Sequence, residues 1–474
     1  MNAISGVRLS EKSEQIAVGT QSFMDKVLQN NENYPFYAEY NRGSLKERPH
    51  VHYVNGWKVE FLAFANEATR HLPPVVILGG AFQNFNSYKY CVEPLLESGS
   101  VILVDLPSLG SNDQVQNLVT GELSIDLDIG DLAQILGNWV ASIQLNQLSM
   151  MGMSLGSVIA ANFAAAYPER MSRLVLMGVM QQTRKSWRML IQEALDLLAE
   201  NRMVEFGQAM VLYLVNHARM KETRMSPTAR KLFFQQMANF GENERMRYEI
   251  NATRLLRIKY VPNPICPTLV ATGQYDGFTL PFENAQFALG CPQMQFALIK
   301  NADHVPQLQK RRETLQLFTT FLRGESIAQL DGIQPMNREE LKQMDRRGEV
   351  RVKLASPVCE VTHRTKPEFK MTVSVVDMTY FGLLIEAGSE DNAAALIAEP
   401  RDLSLHLPKL NEDGTVTNGA LAIECLIFQQ VGTQVRALFK HGNFETSDHL
   451  YALVCSDAVI ADPVADSVTD TVVQ

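Results

Sequence analysis

Ser154 stands in Gly152-Met153-Ser154-Leu155-Gly156, a Gly-x-Ser-x-Gly spacing. Apolar residues lead up to it from Leu148, and an Ala-rich run follows through Val158-Ile159-Ala160-Ala161 to Tyr167. That pattern reads as strand, tight turn and helix, with small neighbours that let the serine hydroxyl project from the turn. The spacing alone is weak, because an ordinary glycine-rich turn also produces it. A serine so placed can attack an acyl carbon if a base takes its proton, a carboxylate orients the base and donors hold the developing oxyanion. Asp276 and His304 follow in that order, each just past an apolar run that reads as a strand. Asp303 is a rival acid, but as the sequence neighbour of His304 it is badly placed to orient that ring. The oxyanion donors would be the backbone N–H of Leu155 and of Ala81 or Phe82.

The elements that must position these residues alternate in type. Val51-His52-Tyr53-Val54 and Val59 to Phe64 flank Asn55-Gly56, a hairpin signal. Continuous apolar runs at Pro74–Leu78, Val101–Asp105, Leu174–Gly178 and Pro267–Gly273 read as buried parallel strands. Gln295–Ile299 precedes His304, and helices are expected near Ile129–Ile143 and Arg312–Leu322. Strand and helix in alternation imply an α/β architecture with a mostly parallel sheet, whose active sites lie at the carboxyl ends of strands. Residues 186–260 show helical spacing and no buried strand, which reads as a helical lid. The lid carries Met189, Met203, Met210, Met220, Met225, Met237 and Met246. Methionines adapt to flexible apolar ligands, although core filling is the plainer role of any one of them.

With 474 residues, 46% hydrophobic and 20% charged, the chain has the make-up of a globular protein of more than one domain. A net charge of -9 argues against generic nucleic-acid affinity. The six cysteines form no Cys-x-x-Cys, so reduced, buried thiols in a cytoplasmic protein are expected, with no metal. Residues 1–30 lack the apolar core of a secretory signal, and no run of 18 apolar residues suggests a transmembrane segment. A short helix is expected at Ser22–Gln29, and the role of residues 1–50 is open.

On these residues, 51–325 resembles the α/β-hydrolase fold. Members commonly carry His-Gly at the oxyanion strand end, where this chain has Gly79-Gly80-Ala81. They also carry Asp-x-Pro-Gly-x-Gly-x-Ser, where this chain has Asp105-Leu106-Pro107-Ser108-Leu109-Gly110-Ser111. Those departures resemble the branch of rhamnolipid-precursor synthases, which esterify one 3-hydroxyacyl chain with another. The resemblance implies acyl transfer to water or to a hydroxyacyl group.

A second constellation follows a linker at 326–345, in which Asn337 caps a short polar helix. Arg346-Arg347-Gly348-Glu349-Val350-Arg351 contains Arg-x-x-x-Arg (Arg347, Arg351), and Asp377-Met378-Thr379-Tyr380-Phe381-Gly382 stands at a later strand end. Short alternating strands from Val350 to Phe439 suggest a small barrel, with a polar tail at 461–474. Residues 346–460 resemble the PilZ family, whose motifs are Arg-x-x-x-Arg and Asp/Asn-x-Ser-x-x-Gly, with Thr379 replacing the usual serine. That resemblance implies cyclic di-GMP as a regulatory ligand. Arg346, Arg347 and Arg351 would fork onto phosphates and guanine edges, Asp377 would accept from guanine N–H groups, and Thr379 and Gly382 would shape the turn. The combined expectation is a cyclic di-GMP-responsive serine acyl-transfer enzyme acting on an aliphatic ester or thioester. The alternative is a non-catalytic receptor that uses the hydrolase fold as a binding platform. A protein partner or homo-oligomer is left open.

Overall fold

The computed structural model describes residues 37–346, 348–349, 351–456 and 460–461. The helix expected at Ser22–Gln29, Arg347, Val350 and the tail lie outside the described residues. Contacts divide the chain into two units. The first comprises the residues up to Thr183 together with Phe240–Arg346, and the second comprises Arg184–Asn239 with the chain from Arg347.

Described residues of the first unit form a ten-stranded mixed sheet. Its strands are β1 (Tyr37–Ala38), β2 (His50–Val54), β3 (Trp57–Phe64), β4 (Val75–Leu78), β5 (Val101–Asp105), β6 (Leu148–Met153), β7 (Met171–Met177), β8 (Thr268–Gly273), β9 (Met294–Ile299) and β10 (Ile333–Met336). The order is β1-β3-β5-β4-β6-β7-β8-β9-β10, with β2 on β3. From β5 through β9 all pairings are parallel. Asn55 and Gly56 both take positive φ (50° and 84°), the turn that suits the right-handed twist of the β2–β3 hairpin.

The apolar strands are buried on both faces, and their period of two sorts them into two cores. Val76, Leu78, Ile102, Val104, Met150 and Leu174 share one core with Leu132, Leu136 and Trp139 of the helix Ile129–Ser142 and Ile159 and Phe163 of the helix Leu155–Ala166. Val75, Ile77, Val101, Leu103, Met151 and Val175 share the other with Leu315, Phe318 and Phe321 of the helix Arg311–Leu322. The helix Ile129–Ser142 starts at a capping box, Asp128 against Asp131. The stretch 326–345, read as a linker, carries β10, which extends the sheet antiparallel to β9. Asn337 does cap the short helix that follows, Arg338–Lys342.

The helical stretch 186–260 is divided between the units. The helices Lys185–Ala199, Met203–Leu214 and Pro227–Ala238 belong to the second, and Glu242–Arg257 belongs to the first. Met210, Met225 and Met237 are buried, so these three fill space between elements.

In the second unit, β11 (Lys353–Leu354) pairs with β18 (Ile460–Ala461). Among its described residues, β12 (Val358–His363), β13 (Lys370–Met378), β14 (Gly382–Glu386), β15 (Leu403–Leu410), β16 (Val416–Val431) and β17 (Gln434–Phe439) close an antiparallel six-stranded barrel, in the order β12-β13-β14-β17-β16-β15. Within the same unit, buried Glu193 of Lys185–Ala199 pairs with Arg401 and with Lys440 (3.2 Å), and His217 pairs with Asp448 (2.6 Å). Within this unit the helical segment 184–239 is therefore fastened by ion pairs at Glu193 and by a polar contact at His217, whose pKa burial lowers. Five of the six cysteines are buried as free thiols, whereas Cys455, expected to be buried with them, is exposed.

Candidate active site

Ser154 sits between β6 and the helix Leu155–Ala166, with φ 51° and ψ −116°. This is a conformation that L-residues rarely adopt, held here because the flanks are fully packed. A Cβ at Gly156 would run into the Leu78 carbonyl, and one at Gly152 would stand 2.5 Å from the Gly156 carbonyl oxygen. Both glycines of the motif are thus required by close backbone approach.

The three sequence-predicted groups meet. Ser154 Oγ lies 3.2 Å from His304 Nε2, and His304 Nδ1 lies 2.9 Å from Asp276 Oδ2. Each comes from the carboxyl end of a strand: Ser154 after β6, Asp276 after β8 and His304 after β9. The carboxylate of Asp276 is 2% exposed and well supplied with donors. Its Oδ1 accepts the N–H of Phe278 (2.9 Å) and Thr279 (2.8 Å), and its Oδ2 accepts the Thr279 hydroxyl (2.8 Å). Because Oδ2 can only accept, Nδ1 carries the imidazole proton, and Nε2 is left to accept from Ser154. Gly178, at φ 74°, leaves room for the ring, since a Cβ there would stand 3.0 Å from His304 Cε1. Burial pushes the His304 pKa down, but the charge and hydrogen bond of Asp276, with the charge of Asp303, outweigh it and hold it above the usual 6.5.

Asp303 is directed elsewhere. Its Oδ1 accepts the Val305 N–H (3.1 Å) and its Oδ2 accepts Gln309 Nε2 (2.7 Å). Asp276 is therefore the carboxylate that touches the ring.

The turn after β4 lies against the serine, where a Cβ at Gly80 would stand 3.3 Å from Ser154 Cβ. Gln83 Oε1 accepts the Gly80 N–H (2.7 Å), which pins this turn at the stretch holding Ala81 and Phe82. Phe82 stacks on Tyr248 (5.1 Å, 16°) and lies 5.9 Å from Phe240. Leu155 opens its helix, so its N–H points out of a positive helix end. The family departures have physical counterparts. A side chain at Gly79, where members commonly carry histidine, would collide with the buried hydroxyl of Tyr88. Ser108, at a usual glycine position, keeps a left-handed φ of 61°, with its hydroxyl held by Gln114 O (2.8 Å) and Ser124 Oγ (2.9 Å). Burial drives the Asp105 carboxyl up to about 7, although the N–H and hydroxyl of Ser111 both bond it.

In the second unit Arg351, Asp377, Thr379 and Gly382 come together. Arg351 Nη1 lies 3.1 Å from Asp377 Oδ2, and Val352 bridges to Met378 of β13. Thr379 Oγ1 accepts the N–H of Phe381 (3.1 Å) and Gly382 (3.3 Å), closing the turn from β13 to β14. A Cβ at Gly382 would collide with the Ala437 carbonyl. Arg346 lies over the Phe282 ring of the first unit (5.4 Å), and Arg347 falls outside the described residues.

Thr279 and Gly178 were missed from sequence. Asp276-x-x-Thr279 is an Asx-type turn pattern, a signal that could have pointed to Thr279.

Comparison with known proteins places these observations. The chain is 35% identical over 111 residues to a 2-hydroxy-6-oxononadienedioate/2-hydroxy-6-oxononatrienedioate hydrolase of Pseudomonas putida, covering 22% of this chain and 35% of that protein. The enzyme of the same name from Cupriavidus pinatubonensis is 32% identical over 133 residues, covering 26% and 42%. The chain thus spans well under half the length of the curated relatives it matches. Among solved structures, a thermophilic esterase from Thermogutta terrifontis superposes with a TM-score of 0.48 at 19% identity, covering 59% of this chain and 98% of that one. The family model described as alpha/beta hydrolase fold matches residues 73–311. That match takes in just over half of the chain, together with Ser154, Asp276 and His304, and so the chain belongs to the α/β hydrolase fold family.

Proposed function

We propose that this chain is a serine acyl-transfer enzyme whose activity responds to cyclic di-GMP. The observation that carries the catalytic part is the continuous relay Ser154 Oγ, His304, Asp276, at 3.2 and 2.9 Å. In the proposed reaction His304 Nε2 takes the Ser154 proton as Oγ attacks the acyl carbon of an aliphatic ester or thioester. The oxyanion that forms is held by the N–H of Leu155 and of Ala81 or Phe82. His304, now a cation facing Asp276, returns the proton to the leaving group and then activates the acceptor. The relatives are named as hydrolases, which favours water as acceptor. The Gly79-Gly80 turn and its likeness to hydroxyacyl synthases favour a hydroxyacyl acceptor.

The regulatory part rests on the paired Arg351 and Asp377 beside the Thr379–Gly382 turn, the residue types and places at which PilZ proteins hold cyclic di-GMP. Glu349, inside the same arginine motif, accepts Arg219 Nη2 at 2.8 Å and Asn216 Nδ2 at 2.9 Å. Ordering that segment around a dianionic nucleotide would therefore act on the helical segment 184–239. That segment ends at Asn239, and the next residue, Phe240, lies against Phe82.

Labelling with a serine-reactive phosphonate, followed by mapping of the adduct, tests the catalytic part. Ser154 is expected to carry the label, and Ser154→Ala to abolish both label and turnover of short acyl-ester reporters. No labelling of Ser154 in the folded protein would favour the receptor reading instead, and unchanged kcat in Ser154→Ala would end the Ser154–His304–Asp276 reading.

A further inference from the structure

The carboxylate of Asp276 is gripped by one neighbouring residue at both of its oxygens. The Thr279 N–H donates to Oδ1 and the Thr279 hydroxyl donates to Oδ2, each at 2.8 Å. The same hydroxyl oxygen lies 3.2 Å from His304 Nδ1. Thr279 is 2% exposed, so water does not compete for these contacts. The other nearby hydroxyl, that of Thr272, is at 3.4 Å from Oδ2, beyond the usual O–H···O range.

A hydroxyl has one proton to give. With that proton committed to Oδ2, Thr279 Oγ1 presents a lone pair to His304, as Oδ2 itself does. Both atoms accept from a protonated Nδ1, and both repel an Nδ1 lone pair. The arrangement therefore fixes the imidazole proton on Nδ1 twice over and leaves Nε2 free to act on Ser154. It also resists rotation of the carboxylate, because one backbone turn holds both oxygens.

We propose that Thr279 is a positioning residue of the Ser154 site, clamping Asp276 and His304 in register and holding the imidazole proton on Nδ1. This rests on Ser154, His304 and Asp276 being the reacting groups. Valine matches the shape of threonine but its side chain can neither donate nor accept, so Thr279→Val removes the hydroxyl half of the clamp while keeping the volume and the backbone N–H on Oδ1. Serine keeps the hydroxyl and loses a methyl group.

The experiment compares full-length wild type, Thr279→Val, Thr279→Ser and Ser154→Ala in steady-state hydrolysis of p-nitrophenyl butyrate, with thermal unfolding of each. Thr279→Val is expected to lower kcat by roughly 10- to 100-fold, the range for a hydrogen bond to a charged group, with KM held within about twofold. Thr279→Ser is expected to recover most of the lost kcat. If Thr279→Val does not fold, Thr279→Ala enters the same comparison. Wild-type kcat in the hydroxyl-free variant, a change confined to KM, or failure of serine to restore kcat each overturns the proposal. An active Ser154→Ala variant would overturn the underlying reading. An inactive one beside an undisturbed Thr279→Val overturns the Thr279 role alone.

Discussion

Replacing Asp276 by asparagine changes one atom, and the structure dictates where that atom goes. Oδ1 accepts two backbone N–H groups, from Phe278 and Thr279, at 2.9 and 2.8 Å. An amide nitrogen cannot accept them, so the carbonyl oxygen of the new side chain must stay there and its NH2 must face His304 Nδ1. Nδ1 then has to be the acceptor, which moves the ring proton to Nε2. An N–H now faces the Ser154 hydroxyl across 3.2 Å, and the base cannot take a proton. The analogous change in serine proteases costs on the order of 10⁴ in kcat through the same tautomer switch, and a similar loss is expected here. The pH profile separates this from simple damage. In the wild type, burial disfavours His304 protonation, but Asp276 and Asp303 outweigh it and raise the pKa above 6.5. The acidic limb of kcat/KM therefore lies above pH 6.5, with activity rising as His304 loses its proton. Without the Asp276 charge, burial is opposed by Asp303 alone, so residual activity should show its limb at lower pH. Stability moves with it. A raised histidine pKa contributes stability that is full below the unfolded value of 6.5 and lost as pH rises through the folded value. Asp276→Asn removes that low-pH contribution. Asp303→Asn, which leaves the ring contact intact, should keep kcat within about tenfold of wild type, far short of the tautomer penalty. The assay is hydrolysis of a short acyl ester from pH 5 to 9, with thermal unfolding over the same range. A harmless Asp276→Asn beside a crippling Asp303→Asn would refute the reasoning.

Other outcomes follow from the geometry. Arg351→Ala removes a guanidinium fork and should weaken cyclic di-GMP binding by about 2–3 kcal/mol, measured by calorimetric titration; no binding to wild type would sink the sensor proposal. If the two functions are coupled, a non-hydrolysable acyl analogue should alter nucleotide affinity by the factor with which the nucleotide alters acyl affinity. Arg254, fully buried, donates to Ser124 O and Oγ (2.6 Å each), Pro107 O (3.1 Å), Leu127 O (3.2 Å) and Asn251 Oδ1 (2.8 Å). Arg254→Met leaves those acceptors dry and should cost about 3 kcal/mol, read as a Tm lowered by several degrees; an unchanged Tm would show the loops are held by other means.

What was legible in the sequence is what local geometry writes there. Glycines at two-residue spacing about Ser154 are forced by backbone contacts at Gly152 and Gly156, so the elbow was readable from spacing. Strands β4 and β5 were readable because both faces are buried and their sequences are continuously apolar. β12 was not, because Val358-Cys359-Glu360-Val361-Thr362-His363 alternates only weakly and its buried His363 is polar. For Thr279 the Asp276-x-x-Thr279 spacing marked a local turn, but nothing in it marked the contact of the hydroxyl with His304, 25 residues on. The division of the helical stretch was hidden for a related reason. Periodicity reports that a helix has a buried face, but not which element covers it. The coverage was decided by pairs far apart in the chain, such as Glu193 with Lys440 and His217 with Asp448. Glu349 joins the two kinds of information. Arg-x-x-x-Arg is a local pattern, and Glu349 inside it reads as an ordinary solvated acid. Only the fold brings Arg219 and Asn216 to its carboxylate, which is 10% exposed. A carboxylate so nearly buried needs its partners, since an unpaired charge at that depth is costly. The arginine motif and the helical segment are thereby made parts of one electrostatic unit, and on the proposed sensor reading a ligand that repositions the motif would move both.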